Sequence, residues 1–175
     1  MKTIVGLSAA ALLALASSAA SAAGAGKGDS DFVMKAAQGG MEEVELGQLA
    51  SSQAASADVK QFGQRMVTDH GKANDELKAV AQKSGETVPT ELSKKQQSDK
   101  ARLAKLNGAE FDKAYMKMMV SDHKEDIAEF EKEAKSGKDA DVKAFASKTL
   151  PTLKEHLSMA QDVEKRVASG KSGKQ

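Results

Sequence analysis

Apolar side chains recur every third or fourth residue in four long stretches of the chain, which is the spacing of one buried face on an α-helix. In the second of these stretches, the pattern runs through Phe62, Met66 and Leu77. The spacing predicts long helices over about residues 32–54, 59–84, 110–136 and 142–168, and a shorter helix over 92–106.

Polar residues suited to helix starts precede three of the long stretches. Asp29 or Ser30, Asp58, and Asp139 or Asp141 each carry an oxygen that can accept a hydrogen bond from the free backbone N–H groups of a first turn. We expect these residues to begin the first, second and last long helices.

Helices with one apolar stripe bury those stripes together by forming a bundle. We therefore predict an all-α four-helix bundle, with the short helix between the second and third long helices. The first helix contains Gly39, Gly40 and Gly47, and each glycine costs about 1 kcal/mol relative to alanine. Close approach of a neighbouring helix or side chain would explain them. Pro151 is expected to kink the last helix or to divide it.

The first residues have the pattern of a secretory signal peptide. Lys2 precedes a short apolar run over 4–16, and Ala20-Ser21-Ala22 is a small-residue cleavage site. The run is shorter than the about 20 residues that span a bilayer, and no later segment is apolar enough to span one. We expect export to the bacterial periplasm, and association with the outer membrane is the alternative. The predicted organisation is a signal peptide over 1–22, a flexible lead-in over 23–30, a bundle domain over 31–168 and a disordered tail over 169–175.

Composition excludes several kinds of function. The 175 residues include no cysteine, which excludes disulfides, thiolate metal sites and thiol catalysis. Cleavage of the signal peptide would remove Lys2 and leave 25 basic residues against 25 acidic ones. A neutral chain with mixed signs lacks the basic surface that nucleic acids require, so no nucleic-acid partner is expected. Common catalytic motifs are also missing, which favours a protein that is not an enzyme.

The three histidines of the chain share an unusual placement. His70, His123 and His156 each follow an acidic residue, and each lies on the apolar stripe of a different predicted helix. Inward side chains on facing helices often build metal sites in bundles, and imidazole is a common ligand of transition metals. The alternative is that these histidines are buried residues held by hydrogen bonds alone.

A carboxylate from the first helix would complete a four-ligand metal site with the histidines. Glu43 is the preferred residue, because Gly40 and Gly47 leave its helix face open enough for a carboxylate to turn inward. Glu42 and Glu45 are the alternatives. The hypothesis therefore places a transition metal ion, as the one cofactor considered, among three imidazoles and one carboxylate.

Methionines suggest a second kind of metal site. Met66 precedes His70 by four residues and Met119 precedes His123 by four, so each pair shares a helix face. Thioether with imidazole suits Cu(I). The alternative is that these methionines fill gaps in a core with few aromatic residues.

The sequence also repeats part of itself. Residues 62–70 and 115–123 share the pattern aromatic-x-x-x-Met-Val-(Thr or Ser)-Asp-His, at a distance of 53 residues. A weaker repeat relates 57–62 to 140–145. Because the two distances differ, the chain is not a repeat protein. The repeats indicate either an old duplication or similar helix faces.

The chain resembles a family of exported bacterial proteins known only as a domain of unknown function, often described as outer-membrane or periplasmic proteins. The matching stretches are 36–47, 66–70, 111–115, 119–123 and 150–157. The resemblance implies a ferritin-like four-helix bundle and no particular activity. Ferritin-like di-iron proteins use Glu-x-x-His pairs, whereas Val67, Val120 and Leu153 stand three residues before these histidines. A di-iron oxidase is therefore not expected.

Two functional hypotheses follow. The first is a non-enzymatic envelope or stress-related protein that binds a partner or has a structural role; the sequence does not identify a protein partner. The alternative is a periplasmic bundle that binds Fe, Zn or Cu, or acts in redox chemistry, through its inward histidines.

Overall fold

A computed structural model describes residues 26–170 of the chain, so the predicted signal peptide and residues 171–175 of the predicted tail lie outside the described residues. Every element of regular structure in the described part is a helix, without a strand, which confirms the predicted all-α class. None of its helices combines the length and apolarity that crossing a membrane requires. The helices are α1 (Lys27–Gln53), α2 (Ala57–Ser84), α3 (Lys94–Leu103), α4 (Gly108–Ser136) and α5 (Ala140–Ala168).

The four long helices form a bundle with a crossover. Short turns make α1 antiparallel to α2 and α4 antiparallel to α5, while α1 also packs on α4 and α2 on α5. Cross-helix pairs between Lys35 and Glu129 and between Glu43 and His123 show that α1 and α4 are antiparallel. Helices α2 and α4 therefore run in the same direction. The segment between them, which contains α3, must cross from one end of the bundle to the other, as in ferritin-like folds.

The buried interior consists of two apolar clusters separated by a polar layer. One cluster includes Leu46, Met66 and Met119, and the other includes Leu77 and Phe130. Along every long helix, the residues between the two clusters are the predicted site residues: Glu43, His70, His123 and His156. The bundle therefore places these four buried polar side chains at one level, near the middle of its length.

Helix α1 begins earlier than the predicted boundary of the bundle domain. The lead-in was expected over 23–30, but residues 27–30 are helical. The reason is the buried Asp29 carboxylate, which accepts hydrogen bonds from the backbone N–H groups of Gly26 at 2.8 Å, Lys138 at 2.8 Å and Asp139 at 3.1 Å. These bonds fasten the start of α1 to the turn between α4 and α5.

Two other local expectations are resolved by the structure. Ser56, rather than Asp58, begins α2 by accepting from the backbone N–H of Val59, and Asp58 instead pairs with Arg166 of α5 at 2.9 Å. Helix α5 is not divided at Pro151. Because proline has no backbone N–H, the helical hydrogen bond to the carbonyl oxygen of Ser147 is missing. Ser147 is an exposed residue, so a water molecule can donate to this oxygen instead.

Two glycines set the distance between α1 and α2. A Cβ atom added to Gly47 would lie 2.6 Å from the carbonyl oxygen of Gly63, and one added to Gly63 would lie 2.7 Å from the Cβ of Ala50. Both contacts are shorter than real Cβ atoms make. Of the glycines noted in the first helix, Gly47 is therefore the one that the close approach of α2 requires.

Candidate metal centre

The site lies at the polar layer in the middle of the bundle. Helices α2, α4 and α5 contribute His70, His123 and His156, and α1 contributes Glu43. All four side chains are buried, with 0–6% of each residue exposed. The imidazole ring centroids are 5.2–5.6 Å apart. One ring nitrogen from each histidine lies within 4.8 Å of the nitrogens from the other two. The structure thus brings together all four residues predicted from the sequence.

Glu43 holds two of the three rings. Its Oε2 is 2.8 Å from Nδ1 of His70, and its Oε1 is 3.2 Å from Nδ1 of His123. Nδ1 of His123 also lies 2.9 Å from the carbonyl oxygen of Met119, to which an Nδ1–H can donate. Both rings are therefore anchored through Nδ1, which leaves Nε2 as their free nitrogen.

The third ring is held by a residue that the sequence interpretation did not assign. Nε2–H of His156 donates to Oδ2 of Asp69 at 2.9 Å, and Asp69 also pairs with Arg65. Arg65 in turn lies 3.5 Å from Glu155. Asp69 immediately precedes His70 but orients a histidine on another helix. Its one signal in the sequence is an arginine four residues before it, which places both side chains on the same face of α2.

Each ring consequently has one nitrogen without a partner. Nε2 of His70, Nε2 of His123 and Nδ1 of His156 are buried and make no hydrogen bond to any atom of residues 26–170, and neither do the two carboxylate oxygens of Glu43, which contact His70 and His123 as a charged neighbour. Most buried polar atoms are hydrogen-bonded, and leaving one unpaired costs about 1–3 kcal/mol. Three such nitrogens, one from each of three helices of the bundle, form a set that a metal ion can satisfy simultaneously.

The charges of the site favour this use of the nitrogens. Burial alone would raise the pKa of Glu43, but the adjacent His70 and His123 outweigh it and hold this pKa at about 2. Burial tends to lower the pKa of His70, but the Glu43 carboxylate outweighs burial and raises it. Burial lowers the pKa of His156 to about 4, and it also lowers the pKa of His123. Glu43 and His70 therefore form an ion pair, while the other two imidazoles are neutral.

The three carboxylates considered for the fourth ligand have different surroundings. Glu43 contacts the anchored Nδ1 atoms, and the group of ligand atoms within 4.8 Å of one another consists of the three histidines. In this arrangement Glu43 orients two rings. Glu45 points away and pairs with Lys100 at 2.7 Å, and Glu42 lines a surface cleft beside the bundle.

The methionines of the copper hypothesis lie next to this layer. Met66 and Met119 are fully buried in the apolar cluster one helical turn from His70 and His123. Their surroundings include Leu46 and Phe62, which suits side chains that fill a core. A thioether ligand for Cu(I) stays a prediction.

We expect replacement of Asp69 by alanine to lower metal affinity by about 10–100-fold, because the carboxylate fixes which nitrogen of His156 faces the other rings. The measurement is a competition titration with Zn²⁺ and a chromophoric chelator. Asp75→Ala is the matched control, since Asp75 is an exposed aspartate on the same helix. Equal affinities for the two variants would show that Asp69 does not position His156.

Comparison with known proteins supports the fold and assigns no activity. The chain is similar to the crystal structure of a DUF305 fragment from Deinococcus radiodurans, with a TM-score of 0.72 at 13% sequence identity, over 82% of this chain and 99% of that chain. At this identity, the likeness shows the fold alone. No curated protein matches the chain. The sequence profile of the family described as "Domain of unknown function (DUF4142)" matches residues 14–163, and the chain therefore belongs to this family.

Proposed function

We propose that this protein binds one first-row transition-metal ion in the middle of its bundle through His70, His123 and His156. The observation that carries the proposal is the set of three buried ring nitrogens without partners, each on a ring whose other nitrogen is already anchored. A structural role for the histidines would leave these nitrogens unsatisfied, and apolar side chains of similar size would serve such a role better.

The spacing of the rings supports a shared centre. Zn–N bonds of about 2.0–2.1 Å in a tetrahedral site place ligand nitrogens about 3.4 Å apart. One ring nitrogen from each histidine already lies within 4.8 Å of one nitrogen from each of the other two. Small rotations of the rings would therefore close the site, and the helix backbones need not move.

The donor set favours Zn²⁺, Cu²⁺ or Fe²⁺ over Mg²⁺ or Ca²⁺, which prefer oxygen ligands. Glu43 would orient two ligands and supply one negative charge beside the ion. Three protein ligands leave a coordination position open, as in catalytic rather than structural zinc sites. A cavity of about 20 Å³ lined by Glu43 and His70 has room for one water molecule at this level.

We expect purified protein to bind one equivalent of Zn²⁺ or Co²⁺, with an affinity that rises with pH. The metal must displace the Nε2 proton of the charged His70 ring, which the Glu43 carboxylate at Nδ1 stabilises, so affinity increases up to the raised pKa of His70 and levels off above it. Titrations followed by Co²⁺ absorption between pH 5.5 and 8.5 measure this, and elemental analysis of the protein as isolated gives the metal. Less than 0.1 equivalent of any metal bound under these conditions would refute the proposal.

We also propose that the protein acts in the bacterial envelope after export. The support is the charged start, short apolar run and small-residue site within residues 1–22. We expect the protein isolated from the periplasmic fraction to begin at Ala23, as measured by intact mass and N-terminal sequencing. An intact Met1 in cytoplasmic protein would contradict export.

A further inference from the structure

We propose that Asp29 and Glu133 form a proton-operated clasp at one end of the bundle. With one proton shared between the two carboxyl groups, the clasp fastens the first turn of α1 to the turn between α4 and α5, and loss of that proton loosens it. Asp29 is 2% exposed and Glu133 is 6% exposed. The two carboxyl groups lie within hydrogen-bond reach of each other. The clasp involves no residue of the proposed metal centre.

Asp29 is the charged member of the pair. Its carboxylate oxygens accept three backbone hydrogen bonds, two of which come from Lys138 and Asp139 in the turn between α4 and α5. Burial opposes ionisation of Asp29, but the backbone N–H groups of Lys138 and Gly26 outweigh it and lower the pKa of this carboxyl. These bonds are the ones that fasten α1, and they require the ionised form of Asp29.

Glu133 fits beside this carboxylate only as a carboxylic acid. Two ionised carboxyl groups have no proton to donate and repel each other, whereas a protonated Glu133 can donate to Asp29. Oε1 of Glu133 is buried and makes no hydrogen bond to a donor of residues 26–170. A Cβ atom at Gly137 would overlap this oxygen, so the glycine of the turn makes room for it. A negative charge there would be both buried and without a donor.

The electrostatic surroundings keep the proton on Glu133. Burial, and then the adjacent Asp29 carboxylate, raise the pKa of Glu133 to about 7, although the positive charge of Lys132 opposes this rise. Asp139 adds a further negative charge from the turn.

Other charged groups at this end of the bundle are engaged with different partners. Glu86, which follows α2, accepts a hydrogen bond from the Ser30 hydroxyl at 2.6 Å. Lys143 of α5 donates to the backbone carbonyl of Lys135 at 3.3 Å. The carboxylate of Asp139 accepts from backbone N–H groups of α5, beginning with that of Asp141 at 3.0 Å. None of these contacts supplies a donor to Glu133.

The direction of the pH dependence follows from the two states of Glu133. Its pKa is about 7 in the closed clasp and returns to the ordinary value of 4.5 when the clasp opens into water. The stability of the clasp is therefore complete below about pH 4.5, falls as the pH rises to about 7 and then levels off. Asp29 has a lowered pKa, so it stays ionised in both states over the upper part of this range and adds no dependence there.

The opposite end of the bundle provides an internal reference. There the buried Asp112 of α4 accepts from the backbone N–H groups of Ala55 at 3.1 Å and Ser56 at 2.9 Å, in the turn between α1 and α2. Among the described residues, the charged neighbour of Asp112 is Lys60 rather than a second carboxyl group. The amides of Ala55 and Ser56 are therefore the reference amides for a clasp without a shared proton.

The test is amide hydrogen exchange of the metal-free protein, followed by NMR between pH 5.5 and 8 and expressed as protection factors, which removes the pH dependence of the intrinsic exchange rate. In the wild type, we expect protection of the Lys138 and Asp139 amides to fall about 20-fold over this range, as the two pKa values of Glu133 require. Protection of the reference amides should stay constant within about twofold.

Glu133→Gln separates the proton from the packing, because its side-chain amide can donate to Asp29 at every pH. We expect protection of the clasp amides in this variant to be independent of pH. Glu131→Gln is the matched control, since Glu131 is an exposed residue of the same helix, and it should show the wild-type fall. The reference amides verify that each variant is folded. Constant protection in the wild type, a wild-type fall in Glu133→Gln or a parallel fall of the reference amides would overturn the inference.

Discussion

Replacement of His123 by alanine is expected to lower the affinity for Zn²⁺ or Co²⁺ at least about 100-fold, which is beyond the effect of losing an orienting residue. His123 is fully buried, and its ring lies 5.4–5.6 Å from the other two. Its loss removes one of the three proposed ligands and one of the two rings that Glu43 contacts. The readout is the rise in melting temperature when metal is added. For the wild type at a free metal concentration of 100 times Kd, this rise corresponds to an increase of about 2.7 kcal/mol in the free energy of unfolding.

This readout keeps the test valid if His123→Ala is less stable, because each variant is compared with its own metal-free form. Met119→Leu is the matched control: Met119 is equally buried, lies one turn earlier on α4 and changes little in volume. We expect Met119→Leu to keep the metal-induced shift. If this control loses a shift caused by Cu(I) while keeping that of Zn²⁺, the thioether hypothesis gains support. A full shift in His123→Ala would exclude that residue as a ligand.

Replacement of Gly47 by alanine is expected to destabilise the protein by about 2 kcal/mol, despite the better helix propensity of alanine. The new Cβ would lie 2.6 Å from the carbonyl oxygen of Gly63. That oxygen belongs to the backbone of α2, so the overlap can be relieved only if the two helices separate. Thermal unfolding should show a melting temperature about 4–8 °C lower.

Gly71→Ala is the corresponding control, because Gly71 also lies inside a helix but has open space where a Cβ would be added. We expect it to stabilise the protein by about 1 kcal/mol through helix propensity alone. The two substitutions should therefore have opposite signs. An increase in melting temperature for Gly47→Ala would show that α1 and α2 are not held at this distance.

The internal repeat of 53 residues has a structural explanation. Because the crossover makes α2 and α4 parallel, residues with this spacing lie at the same level of the bundle. Phe62 and Tyr115 have ring centroids 6.2 Å apart, and His70 and His123 have centroids 5.6 Å apart. The shared pattern thus reflects shared layers of the bundle: first an aromatic layer, then a methionine layer and then the histidine layer.

Glu43 is buried, as predicted for the inward carboxylate of α1, but the glycines beside it are not the main reason. The nearby glycines were expected to open the helix face around it. Gly47 instead faces the backbone of α2 at Gly63, and a side chain at Gly40 would meet Asn74. Glu43 lies on the buried side of α1 because Leu46 and Ala50 continue the same stripe, and it is stabilised there by His70 and His123.

The sequence by itself determined which residues face the interior, since the periodicity of a helix is local and fixes which side chains share a face. It thereby identified the four helices and the buried histidines, and the lack of cysteine excluded thiol chemistry. Only the tertiary structure decided that the histidines share one level, because that depends on the direction of each helix and on the crossover between α2 and α4. It also decided which nitrogen of each ring is free, since Asp69, Met119 and Glu43 anchor the others through contacts that include residues 87 positions apart in the chain.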